Sequence, residues 1–291
     1  MKTYYDCIPC FTKQALDAAR FASDDTEVHE TVLRKALMAI SEMDMKKTPP
    51  EMGALIYRIV SQYANNKDPY KQIKKRFNQI ALELYPELIN IRDDASRPFE
   101  TAARLAIAGN IIDFGVGVTI DKALLIQTIE KTLKDELFGD VKSFEEAVNK
   151  AKKIVYLGDN SGEVVFDKIL IEQIIAMKGS ADNLTFVVRG EPIINDITMV
   201  DARETGMTDI VKVIDNGQGY PGTVLSECSE EFLKYFNEAD IIISKGQGNY
   251  ETLSNVERNI FFLLKAKCNV VAEDLGCEVG TSVIGSSKDF I

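Results

Sequence analysis

Near residue 152 the spacing of apolar residues changes, and that change most limits the folds open to this chain. Upstream, apolar side chains recur at helical spacing: Phe11, Ala15, Ala18 and Ala22 form one stripe, and Val28, Val32, Leu33, Leu37 and Ile40 a second. Thr48-Pro49-Pro50 and Asp68-Pro69 punctuate this half as helix starts. Downstream, short β-rich runs appear at 153–157, 184–188, 210–214, 241–244 and 269–272, most of them separated by helical segments. The unbroken apolar run at 259–264 fits either a strand or a buried helix. Strands alternating with helices predict an α/β fold, a three-layer α/β/α mainly parallel sheet (Rossmann-like). An added N-terminal helical subdomain is expected over residues 1–150, with the α/β/α domain over 151–291.

Composition removes several function classes. A net charge of −11 opposes broad binding to a nucleic-acid backbone, although 34 Lys and Arg leave room for a local anion site. No apolar run approaches the length of a bilayer span, and no apolar segment follows Met1-Lys2-Thr3, so the cytosol is the expected compartment. His29 is the single histidine, which makes a Ser-His or Cys-His hydrolase a poor expectation. The five cysteines include one pair at C-x-x-C spacing, Cys7 and Cys10, with Cys228, Cys268 and Cys277 scattered. The pair precedes any strand and has no second pair, so it reads first as a local structural feature.

The chemistry concentrates where strands end. Gly158-Asp159-Asn160-Ser161-Gly162-Glu163 follows the apolar run Ile154-Val155-Tyr156-Leu157 and leads into a helical pattern. A carboxylate beside a carboxamide offers two hard oxygen ligands suited to magnesium or manganese. Ser161 and Gly162 then open a helix N-terminus, where backbone N–H groups and the helix dipole favour a phosphate. Asn195-Asp196, after the second run, supplies another carboxylate, which either completes an Asp159, Asn160 and Asp196 oxygen set or caps the next helix. Lys245-Gly246-Gln247-Gly248-Asn249 follows a later run: Lys245 as a point charge for a phosphoryl oxygen, Gly246 and Gly248 for close backbone approach, Gln247 and Asn249 as amide donors. The lysine precedes the glycines, so this is not a Walker A loop. Parallel strands would bring all three clusters to one rim.

In this order, Gly-Asp-Asn-Ser-Gly-Glu, Pro-Ile-Ile-Asn-Asp-Ile-Thr and Ser-Lys-Gly-Gln-Gly-Asn-Tyr-Glu resemble the damage-control phosphatases, long grouped as a domain of unknown function. Ala108-Gly109-Asn110-Ile111-Ile112-Asp113 adds a fourth match, and the early C-x-x-C is similar to the microbial branch. The resemblance covers nearly the whole chain. It implies a metal-dependent phosphatase acting on small phosphate monoesters, among them sugar phosphates and damaged phosphometabolites. It implies metal ligands at Asp159, Asn160 and Asp196 and a phosphate-stabilising position at Lys245. Asn110 and Asp113 either reach the cleft or bridge the two parts of the chain as buried polar groups. Glu163 follows Gly162 without the additional residue of the eukaryotic branch, so no substrate role carries over to it.

The expected activity is therefore hydrolysis of a small phosphorylated metabolite with a divalent metal (Mn2+, Mg2+, Co2+ or Ni2+), without nucleic-acid or membrane partners. Water activated at the metal and a carboxylate nucleophile, Asp159 or Asp196, are both open as routes. A binding sensor using the same rim without turnover is the alternative from another class.

Overall fold

The computed structural model describes residues 1–109 and 122–289; Asn110 and Asp113 lie outside the described residues. Among the described residues seven strands, β1 (Leu137–Gly139), β2 (Ile154–Leu157), β3 (Leu184–Val188), β4 (Lys212–Asp215), β5 (Ile241–Lys245), β6 (Ile260–Lys265) and β7 (Ser282–Ser286), form one sheet in the order β1-β7-β6-β5-β2-β3-β4. Every pairing is parallel except β6 with β7. The chain passes from β2 to β3 on one side and later returns to lay β5 on the other. The crevice beyond the carboxyl ends of β2 and β5 is thus a topological switch point, where open α/β sheets collect ligands.

Successive strand residues face opposite sides. Tyr156, Phe186, Ile241, Ile243, Phe261 and Leu263 enter one core, shared with α4 (Lys71–Asp93), α5 (Pro98–Ala108), α7 (Val141–Lys150) and α8 (Glu163–Lys178). Val155, Leu157, Val187, Ile242 and Phe262 enter the other, against α10 (Glu230–Glu238), α11 (Gln247–Leu253) and α12 (Asn269–Leu275). The three layers are those the hydrophobic pattern predicts. Among the described residues, no helix is long and apolar enough to cross a membrane.

One expectation is corrected and one open reading is settled. The run at 269–272 is helical: α12 buries Val271, Ala272 and Leu275 on one face and ends at Gly276, whose φ of 74° suits a left-handed cap. The ambiguous run at 259–264 is strand β6. The sheet also reaches back across residue 150, because Leu137–Gly139 pairs with β7 at the edge. A three-residue strand ending in glycine and a serine-flanked antiparallel partner carry too little alternation to be read as strands.

The helical half is not one body set apart. α1 (Cys7–Ala22), α2 (Thr26–Ser41) and α3 (Pro49–Tyr63) share small cores of their own, such as Phe11, Ala15, Ala36, Ile40, Met52 and Ile56. By contrast, α4 and α5 contribute Phe77, Ala81, Leu84, Phe99 and Ala103 to the core beneath the sheet. α3 starts at the two prolines, where the Glu51 carboxylate accepts from the Thr48 N–H at 2.8 Å. This start sets the wall of α1 and α3 over the carboxyl edge of the sheet.

Candidate active site

Two loops meet beyond β2 and β3. Residues 158–162 leave β2, and the turn that carries Asp196 folds back against them: Ile197 N–H donates to the Asp159 carbonyl, and Ser161 N–H to the Asn195 carbonyl, both at 2.9 Å. Asn160 and Asp196 consequently face each other as an isolated antiparallel bridge. The turn holds Ile194 at φ 36°, a costly conformation for a β-branched residue that persists only because its surroundings enforce it.

Asp159, Asn160 and Asp196 line one cavity of about 720 Å³. Its remaining wall comes from α1 and α3 (Cys10, Phe11, Gln14, Pro50), from Gln247 and Gly248, and from the segment Lys267, Cys268 and Asn269. The carboxyl groups are deeply set. Burial drives Asp159 well above the usual carboxylate range, and repulsion from Asp196 and Glu163 adds to it. Burial also raises Asp196, against the pull of Arg189.

A hard cation fits this donor set. Two buried carboxylates that repel each other are relieved by positive charge between them. The Asn160 amide nitrogen donates to Asp159 Oδ2 at 2.8 Å and Glu163 Oε2 at 3.3 Å, which leaves its oxygen free of those two carboxylates. Next to them the Ser161 hydroxyl is buried with no hydrogen-bond partner among the described residues. Among the described residues no three His, Cys, Asp or Glu side chains gather into a metal site, so a cation held here would need the carboxamide as a further donor.

Several anticipated roles change. Lys245 does not line the cavity: its ammonium is fully buried, 2.5 Å from Glu163 Oε1, 2.5 Å from Asp167 Oδ1 and 2.7 Å from the Ala106 carbonyl. Three close acceptors leave it directed into the core, with Asp167 also accepting from Tyr156 at 2.7 Å. The backbone donors expected to greet a phosphate are also taken, Ser161 N–H by Asn195 and Gly162 N–H by Asn78 Oδ1 at 2.8 Å. Asn249 is a buried brace, donating to the Lys245 carbonyl at 2.8 Å and accepting from Thr223 at 2.8 Å and Arg189 at 3.2 Å. Gln247 and Gly248 do reach the cavity, and Gly246 lies directly behind Asp159.

Two cations escaped the sequence reading. Arg189, the first residue after β3, is buried and donates to Asp196 Oδ2 at 2.7 Å while standing 3.8 Å from Asp159 Oδ1. A charged residue at the carboxyl end of an otherwise apolar strand was the available signal. Lys267 is exposed, lines the cavity, and its charge lowers the pKa of both Asp159 and Asp196. Cys268 follows it, and Cys7, Cys10 and Cys268 all open on the same cavity, a convergence that their order along the chain conceals.

A family model described as the damage-control phosphatase ARMT1-like domain matches residues 3–283. The chain belongs to this family. It is 36% identical to a damage-control phosphatase of Pyrococcus horikoshii, over 99% of each chain. A damage-control phosphatase of Archaeoglobus fulgidus is 33% identical, over 95% of this chain and 96% of that one. A Methanocaldococcus jannaschii protein described as uncharacterized is 37% identical, over 96% of this chain and 93% of its own. The crystal structure of a Pyrococcus horikoshii protein of the family, described there by its older label DUF89, superposes with a TM-score of 0.91 at 35% identity, over 99% of both chains.

Proposed function

We propose that this chain is a divalent-metal-dependent phosphatase that hydrolyses small phosphate monoesters, sugar phosphates or damaged phosphometabolites. One observation carries the reading: Asp159, Asn160 and Asp196 meet at the wall of a cavity of metabolite size that also presents Lys267. The names of the Pyrococcus and Archaeoglobus relatives support it.

Asp159, Asn160 and Asp196 would hold Mn2+, Mg2+, Co2+ or Ni2+. When bound, such an ion supplies Lewis-acid polarisation of a phosphoryl oxygen and lowers the pKa of a coordinated water. The chain itself supplies the rest. Arg189, donating to Asp196 Oδ2, holds that carboxylate in place through one of its two oxygens. Glu163, accepting from the Asn160 amide nitrogen, helps to orient the carboxamide. Lys267 opposes the negative charge of the phosphoryl oxygens. The wall of α1 and α3 covers the other side of the cavity and limits water around the reacting ester.

The test is phosphate release from a panel of phosphate esters by metal-stripped protein, with single divalent metals restored, beside Asp159→Ala. Turnover that returns with metal and is lost in the variant supports the reading. Folded wild-type protein that releases no phosphate with any metal overturns it.

A further inference from the structure

Helix α4 carries two polar side chains that a surface helix has no reason to bury. Lys74 and Asn78 are 3% and 2% exposed, and their spacing of one helical turn puts them on the same face. Lysine is rarely buried without a partner, and a buried amide needs its hydrogen bonds met. Here their partners are the backbone of the two loops of the candidate site and Asp201, in the first turn of the helix that follows the second loop.

Lys74 Nζ stands 3.0 Å from Asp201 Oδ2 and donates to the Asp196 carbonyl at 3.3 Å. Asn78 donates to Asp201 Oδ1 at 3.0 Å, and its own oxygen accepts from the Gly162 N–H at 2.8 Å. Asp201 also caps α9 (Met199–Glu204), accepting from the Thr198 N–H at 2.9 Å and the Thr198 hydroxyl at 2.8 Å. The approach is tight as well as polar. Gly162 adopts φ 77°, and a Cβ there would come within 3.0 Å of Phe77 Cβ on the same helix. One helix thus grips both loops at once, the Asp159–Asn160 loop through Gly162 and the Asp196 loop through the Asp196 carbonyl and Asp201.

We propose that Lys74 and Asn78 are positioning residues that set the distance between the loop bearing Asp159 and Asn160 and the loop bearing Asp196. The inference rests on the reading of those three side chains as a cation site. Neither residue lines the cavity. They act by holding the cation's ligands, so the N-terminal half of the chain is a working part of the centre.

The experiment is calorimetric titration of Mn2+ into metal-stripped full-length protein, with thermal melts alongside, for wild type, Asn78→Ala, Lys74→Met and Tyr85→Phe. Tyr85 is on the same helix but pairs with Glu172 of α8, away from both loops, so its variant reports loss of an ordinary helix contact. Loss of an outer-shell partner typically weakens metal binding by about 10–100-fold. We expect that range for Asn78→Ala and Lys74→Met, with Tyr85→Phe binding as wild type even where its melting temperature falls. Asn78→Leu, which fills the same space without the hydrogen bonds, replaces the alanine variant if that one does not fold. Equal Mn2+ affinity in wild type and the α4 variants overturns the inference and leaves the metal reading standing. Wild-type protein that binds no divalent cation overturns both.

Discussion

The Cβ that Gly246 lacks would lie 2.0 Å from Oδ2 of Asp159. Gly246 sits at the end of β5 at φ 77°, so both space and backbone conformation call for glycine. The loop after β5 therefore serves the site from behind, by allowing the Asp159 carboxylate to occupy its place. Gly246→Ala is expected to cost about 1–3 kcal/mol of stability through backbone strain. It should also weaken metal binding by displacing Asp159. Urea denaturation and Mn2+ titration of the same variant check both effects; an unchanged Mn2+ affinity would show that Asp159 does not need this space.

The two lysines should separate cleanly. Removing one member of a buried ion pair leaves an uncompensated charge and costs about 3–5 kcal/mol. Lys245→Met, which leaves Glu163 and Asp167 facing each other in the core, is expected to fall in that range. Lys267→Ala removes an exposed side chain and should leave stability within about 0.5 kcal/mol. Its effect belongs in KM, where loss of a charged hydrogen bond to phosphate is worth about tenfold or more. Denaturation midpoints and steady-state kinetics on both variants decide the assignment.

Glu251 gives a pH signature. It lines the cavity, and burial pushes its carboxyl up to about 7 from an ordinary 4.5, opposed by the hydrogen bond from Gln247. Between pH 4.5 and 7 the folded protein holds a proton that the unfolded chain has released. Stability contributed by this group is therefore full below that window and falls as pH rises through it. Glu251→Gln should flatten the slope, read as urea midpoints at several pH values; an unaltered slope would assign it to other groups.

Cys10 is exposed and opens on the cavity beside half-buried Cys7, whose thiol is held above its usual range chiefly by burial. Alkylation with iodoacetamide is expected to modify Cys10 faster than Cys7, because the thiolate is the reactive species. The adduct should raise KM by narrowing the cavity, and Cys10→Ser should resist that change. Peptide mass mapping against kinetics is the measurement, and an adduct on Cys10 without change in KM would place substrate elsewhere.

Much of this protein was legible before any coordinates. The apolar runs at 153–157 and 184–188 announced β2 and β3, and parallel pairing of β2 with β3 and β5 brings the three polar clusters to one edge. What the residues alone left open was the direction each side chain takes at a strand end. Strand alternation puts Lys245 on the face of Ile241 and Ile243, toward α5 and α8, where the Ala106 carbonyl, Glu163 and Asp167 receive it. The same alternation puts Arg189 with Val187 and Asp159 with Leu157 on the opposite face. Which face carries the cavity depends on where α1 and α3 lie, and that is set by packing between segments far apart in the chain. Lys74 and Asn78, more than eighty residues before Gly162, and Lys267, more than seventy after Asp196, show the same limit. Periodicity and local chemistry decide strands, caps and ligand-bearing turns, because those depend on neighbours. Partners brought together only by the closing of the whole fold are decided by the tertiary structure.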